Sequence, residues 1–325
     1  MRRFVLSLFL LAAFLGARAQ TVTFTISDGL SNEALRARID KNLSSLLSSF
    51  NLAYEQSSAP DFSAVSITPD AADAIRMLWE NMPFHCEETE IVERILTTYS
   101  GFQVRNVPIE LKTDSGGNDY QELVIDMEAD GKVSRVNLAL QSHLYRKVIS
   151  DGTEVTDLRR RQMILDYVEQ FRTAYNRKDI DFLENVFSDD ALIITGKVIR
   201  RKPGDRVAVL KETPEIVYTQ QRKHEYIEKL RTRVFPAAKY IHVTFTDIRV
   251  SKHPSIDGYY GVMLRQGYQS SNYSDDGYLF MIWDFRDESH PQIHVRTWQP
   301  YWLDDGKTQK LGEDKVFNIN SFTIR

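Results

Sequence analysis

The sequence predicts an α+β protein, and three observations carry that expectation. Residues 161–196, RQMILDYVEQFRTAYNRKDIDFLENVFSDDALIITG, read as a long amphipathic helix, a tight turn, a shorter helix and a buried strand. The chain after them alternates like a curved antiparallel sheet. The chain before them carries two further amphipathic helices and a clear β-hairpin. Two units are therefore expected after an amino-terminal leader: residues 20–155 as an α+β domain, and residues 156–325 as helices packed on a curved sheet.

Residues 1–19 read as a signal peptide. Arg2 and Arg3 form a basic start, Phe4 to Leu15 is apolar, and Ala17-Arg18-Ala19 is a small-residue cleavage signal. The apolar run is too short to cross a bilayer as a helix, which needs roughly 20 residues. The mature chain is expected to be exported, either periplasmic or extracellular, with no membrane insertion after cleavage. Removing Arg2, Arg3 and Arg18 takes the formal charge from -4 to -7. Nucleic acid and anionic membrane are disfavoured as partners, because both select basic surface. The single cysteine, Cys86, forbids an internal disulfide, so stability must come from hydrophobic cores.

In the first unit, residues 21–26 alternate like a strand. Ser31 is placed to cap a helix with Leu35, Ile39, Leu43, Leu46, Leu47 and Phe50 on its apolar stripe. Thr68-Pro69 opens another, with Pro at its favoured first position and Ala72, Ile75, Leu78, Trp79 and Met82 inward. Residues 91–99 suit helix or strand equally: Glu87, Glu88 and Glu90 favour a helix start, whereas Ile95-Leu96-Thr97-Thr98-Tyr99 favours a strand. Residues 104–111 read as a strand that Pro108 confines to an edge or a bulge. Leu123, Ile125 and Met127, the Asp130-Gly131 turn, and Val136, Leu138 and Leu140 make the hairpin. Asp151-Gly152-Thr153-Glu154 is a polar break, with the domain boundary just after it.

In the second unit, Ile164, Tyr167, Val168, Phe171 and Tyr175 form a stripe that requires burial. Asp179 stands where an N-cap belongs, and Phe182, Leu183, Val186 and Phe187 face inward. Ala191-Leu192-Ile193-Ile194-Thr195 is a β-branched strand closed by Gly196. Residues 196–219 read as an irregular excursion containing Pro203-Gly204. Tyr226, Ile227, Leu230, Val234 and Phe235 mark a third helix stopped by Pro236. Four strands follow, at 240–250, 259–270, 278–286 and 292–299. The tail 316–324 is left as an extra strand or a segment packed on the first unit.

Helix, helix, strand, helix and long antiparallel strands resemble the nuclear transport factor 2-like superfamily, with its SnoaL-type and ketosteroid isomerase-type members. The resemblance rests on YVEQFRTAYNRKDIDFLENVFSDDALIITG, GYLFMIWDFRD and QIHVRTWQP, and covers about half the chain. It implies a cone-shaped fold whose enzymes place an acidic residue or histidine inside, while many members bind ligands or partners without catalysis. Fold alone therefore leaves function open.

If the last two long strands form a hairpin, Asp284 falls opposite His294. Alternation then sets His294, Arg296 and Trp298 on one face, against Ile293, Val295 and Thr297 on the other. A carboxylate beside an imidazole suits general acid–base work, which makes Asp284 and His294 the candidate catalytic pair. The plainer reading is an ion-pair ladder on the outer face, within a dimer interface. Trp283 or Trp298 would wall the cavity, and Tyr167 and Tyr175 lie on the helix closing it. These four, with Arg296, are the candidate ligand-binding residues; at helical spacing the two tyrosines equally suit a core. At the head of a helix Cys86 would gain thiolate character, against the plainer case of a buried thiol.

The histidines are scattered without metal-ligand spacing, and Gly116-Gly117 lacks phosphate-loop context, so neither metal nor cofactor is expected. Asn42-Leu43-Ser44 and Asn272-Tyr273-Ser274 match the glycan-acceptor pattern, the first inside a predicted helix.

The leading expectation is thus an exported non-catalytic protein that binds a small apolar or amphipathic ligand, or a protein partner. The alternatives are an isomerase- or dehydratase-type enzyme working by proton transfer in the cone, and a structural module that forms a homodimer through its sheet face.

Overall fold

The computed structural model describes residues 20–112, 118–150, 155–199 and 215–324. The leader, Gly116-Gly117, the 151–154 break and Pro203-Gly204 lie outside these residues. The fold is α+β. Its first half runs β1 (Thr23–Ile26), α1 (Glu33–Gln56), α2 (Pro69–Asn81), β2 (Phe84–His85), β3 (Glu90–Glu93), β4 (Ile95–Thr98), β5 (Gly101–Lys112), β6 (Asn118–Met127), β7 (Val133–Leu138) and α3 (Ser142–Ser150).

The α1 stripe is buried as expected, with Ile39, Leu43, Leu46, Leu47 and Phe50 inside. Its cap is Asn32 rather than Ser31: the Asn32 side chain accepts from Leu35 N at 3.1 Å and satisfies one free amide of the first turn. Thr68 caps α2, with Pro69 following it. Residues 91–99 resolve into β3 and β4, because Ile91 and Ile95 each insert into the core and each strand finds a partner. Pro108 sits on β5 opposite Glu122 of β6. On its other side β5 pairs β4 only through Val104 and β2 only from Glu110 onward. Proline therefore occupies a stretch of open edge where no N–H is needed, and a bulge with Asn106 at φ 61° precedes it. The helix α3 was not anticipated.

The second half runs α4 (Leu158–Asn176), α5 (Ile180–Val186), β8 (Phe187–Ile199), β9 (Glu215–Arg222), α6 (Lys223–Lys229), a π-helical turn at Leu230–Val234, α7 (Phe235–Ala237), β10 (Ile241–Lys252), β11 (Tyr259–Ser270), β12 (Ser274–Asp284) and β13 (Gln292–Pro300). Asp179 caps α5, its carboxylate accepting from Phe182 N at 2.9 Å. Residues 196–199 and 215–219, expected to be irregular, extend β8 and form β9, which pair antiparallel from Leu192–Arg222 to Ile199–Glu215. The third helix ends at Ala237, one residue after Pro236, close to the expected stop.

The six strands lie in the order β10-β11-β12-β13-β8-β9 and curve around α4. Val243, Leu264, Leu279, Met281, Trp283, Ile293 and Ile193 line the concave side with Phe171 and Tyr175 of α4. The tail is neither a strand nor a cover for the first half. Phe317, Ile319, Phe322 and Ile324 lie on the convex side against Tyr259, Phe280, Ile282 and Val295.

Helix α4 is buried on nearly every side. Its apolar stripe fills the cone, and its polar stripe meets the first half. There Arg105 makes a two-pronged pair with Glu169, at 3.0 and 2.5 Å. Glu169 also accepts Leu140 N at 2.6 Å, and Thr173 Oγ1 accepts Leu138 N at 3.0 Å. Arg172 donates to Ala139 O, Val243 O and Gln121 Oε1, tying β10 to the first half. Asn176 accepts Val243 N at 2.7 Å. The edge of β10 is thus closed by side chains of α4 rather than left open to other strands.

Candidate functional site

The facing of β12 decides what can meet inside the cone. Leu279, Met281 and Trp283 point inward, and Phe280 and Ile282 point outward. The same alternation carries Gly277 and Asp275 inward at the wide end. On β13 the alternation is broken. Ile282 pairs with Val295 and Trp283 with Ile293, which leaves His294 as an extra residue in a β-bulge.

That bulge overturns the expectation that His294, Arg296 and Trp298 share a face. Ile293 belongs to the inner core and Val295 to the outer cluster. His294 lies outside, its ring 5.4 Å from that of Tyr259, while Arg296 and Trp298 enter the cone beside Met281 and Leu279. Asp284 and His294 do approach, at 3.4 Å, and Asp190 lies 3.7 Å from the other ring nitrogen. Trp283, however, is on the opposite side of the sheet and cannot wall that pair. Asp284 is engaged elsewhere, accepting from Arg286 Nη2 at 2.7 Å and Nε at 3.0 Å. Partial burial raises its carboxyl, but the bonds from Arg286 and Tyr259 prevail and hold it below the ordinary carboxylate value.

Tyr167 packs at the narrow end, 5.7 Å from Trp283 and 5.9 Å from Phe285 between ring centres. Tyr175 lies two helical turns further along α4, roughly 12 Å away. Between them Phe171 stands 5.1 Å from Tyr175 and 6.4 Å from Trp283. The narrow end is therefore filled by the protein's own aromatic rings. Two of the five candidate ligand residues, Tyr167 and Trp283, belong to this packing, and the other three gather at the wide end.

There, Tyr175 and Tyr226 share a hydroxyl–hydroxyl bond of 2.5 Å. The Arg296 guanidinium lies 5.2 Å over the Tyr226 ring, a cation–π contact. Trp298 lies over Gly277, where a Cβ would stand 2.6 Å from the indole, so only glycine leaves room for it. Asp275 accepts the Tyr273 hydroxyl at 2.8 Å. Burial pushes its carboxyl up to about 6, with Tyr273 and Arg296 acting against it. The π-helical turn Leu230–Val234 covers this end, and Leu230 and Phe235 seal it. Such turns frequently occur at functional sites.

The buried atoms Arg296 Nε, Trp298 Nε1 and Asp275 Oδ1 have no hydrogen-bond partner. Native proteins pair nearly all such atoms, and Trp283 Nε1 at the narrow end is likewise without a partner. Tyr226 and Asp275 were not expected at the wide end. Inward parity from Leu279 and Met281 was the available signal for Asp275, but it was hidden because β12 is apolar on both faces.

Elsewhere, Cys86 heads no helix; it is buried after β2, and desolvation pushes its thiol up to about 12, which removes thiolate character. Asn42 is buried, bonding Ser66 O and N, so it is no glycan acceptor in the folded chain. Among the described residues no group of His, Cys, Asp and Glu is arranged to hold a metal ion, and no helix is long and apolar enough to cross a membrane.

The fold and site define an α+β chain whose second half is a cone of helices in a curved sheet. No protein-family model and no curated protein matches the chain. Solved structures similar to it include Bd1075 of Bdellovibrio bacteriovorus, 16% identical over 52% of this chain and 46% of that one, TM-score 0.34. An NTF2-like protein from Cytophaga hutchinsonii is 14% identical over 43% of this chain and 97% of its own, TM-score 0.28. Nuclear transport factor 2 from Cryptosporidium parvum is 8% identical over 43% and 92%, TM-score 0.31. The chain spans under half the length of Bd1075. Likeness at this level assigns no activity, ligand or partner.

Proposed function

We propose that the protein is an exported, non-catalytic binding protein that holds a small amphipathic molecule at the wide end of its cone. The observation that carries this reading is the set of unpartnered buried atoms on Arg296, Trp298 and Asp275, framed by Tyr175 and Tyr226. Polar atoms set among aromatic rings suit a ligand with one polar end and an apolar body. The leader at residues 1–19 supports export. The proton-transfer alternative is weakened, because its best pair lies outside the cone and Asp284 is committed to Arg286.

Native mass spectrometry of the mature protein, purified from its exporting host, tests the proposal. Added mass that leaves on denaturation is expected, and Arg296→Met is expected to reduce its occupancy. A bare protein that also fails to gain mass from a library of small amphipaths would overturn it.

A further inference from the structure

Arg296 is 6% exposed, and no carboxylate oxygen among the described residues lies within ion-pair distance of it. Two other buried arginines are fully engaged, while Arg161 also keeps an unpartnered Nε and, among the described residues, bonds only the Val155 carbonyl. Arg105 is paired with Glu169, and Arg172 has three acceptors. Arg296 instead lies over the Tyr226 ring and bonds the Tyr175 hydroxyl, and its Nε has no partner. A buried guanidinium without a directly bonded carboxylate is costly, and a bidentate carboxylate is the partner that its planar fork fits best.

The neighbouring groups favour the same partner. Trp298 Nε1 is a second donor with nothing to donate to. Asp275 lies near enough to be felt by Arg296, yet it does not pair with it. Two unpartnered donors, Arg296 Nε and Trp298 Nε1, thus lie near the Tyr226 ring, and Phe171 and Trp283 pack 6.4 Å apart beyond them.

We infer that the cone's ligand is a short monocarboxylate with an apolar body, its carboxylate bound by Arg296 and Trp298 and its body lying toward Tyr226 and Leu279. This inference rests on the binding reading above and gives its ligand class.

The test compares acids with the alcohols of the same skeleton by calorimetry on the mature wild-type protein: octanoate against 1-octanol, and phenylacetate against 2-phenylethanol. The acids are expected to bind at least tenfold more tightly. Arg296→Met, and the charge-keeping Arg296→Lys in case the first variant misfolds, are expected to lose most of that preference, with folding checked by circular dichroism. If alcohols bind as tightly as acids, the carboxylate assignment is overturned and the binding reading stands. If neither series binds the folded wild type, both fall, and the unpartnered atoms belong to water.

Discussion

Replacing Arg105 by methionine tests whether the polar stripe of α4 joins the two halves. Arg105 reaches Glu169 with both terminal nitrogens, at 3.0 and 2.5 Å, and lies 3.6 Å over the Tyr145 ring. Glu169 is 1% exposed. Once the arginine is removed, Leu140 N, at 2.6 Å, is the hydrogen-bond donor left to that carboxylate. Stranding a buried charge in this way costs about 3–5 kcal/mol, far more than losing a surface pair, worth about 0–1 kcal/mol. Glu169→Gln in the same background removes the stranded charge while its amide oxygen still accepts from Leu140. The double variant is therefore expected to recover about half of the loss, a coupling measurable by a double-mutant cycle. Urea unfolding followed by circular dichroism reads both quantities. A loss below about 1 kcal/mol for Arg105→Met, or strict additivity in the double variant, would refute the reasoning.

Three further predictions follow from other contacts. Burial first, then the charges of Asp126 and Glu169, raises the Asp166 carboxyl from the ordinary 3.8 to about 7. The fold thus favours the protonated acid, and its contribution is full below about pH 4 and lost as the pH rises toward 7. Asp166→Asn should stabilise the protein by roughly 1–4 kcal/mol at about pH 8 and by little at pH 4; equal effects at both pH values would exclude it. Gly277→Ala would bring a Cβ to 2.4 Å from Gln299 O and 2.6 Å from the Trp298 indole. It should cost about 1–3 kcal/mol and alter tryptophan fluorescence, whereas an unchanged spectrum and Tm would count against the inward placement of Trp298. Truncation after Val316 uncovers Phe280, Ile282 and Val295. The full chain is expected to be monomeric by light scattering and the truncated one to self-associate; a dimer that forms with the tail intact would show that another surface mediates contact.

The uncovered face bears on how much was legible beforehand. A homodimer through the outer sheet face, expected from an ion-pair ladder there, would have to form around the tail that lies on that side. The tail had no regular periodicity, and nothing in its own sequence said where Phe317 and Phe322 would pack. A groove of about 490 Å³ remains between tail and sheet, lined among others by Arg249, Arg265, Tyr278 and Tyr301. Its existence depends on chain segments far apart in sequence.

Local pattern determined the helices and most of the strands. The stripes of α1, α2 and α4, the Thr68 and Asp179 caps and the β6–β7 hairpin follow from spacing and side-chain chemistry within a few residues. Tertiary structure decided the site. One unpaired residue, His294, inverts the parity of β13, sending Arg296 inward and His294 outward. A period of two cannot reveal a bulge, because the extra residue exists only relative to the strand opposite. For the same reason the sequence placed five residues together where the fold gathers three of them with Tyr226 and Asp275. Periodicity says which residues share a face of one element; only packing between elements says which faces meet.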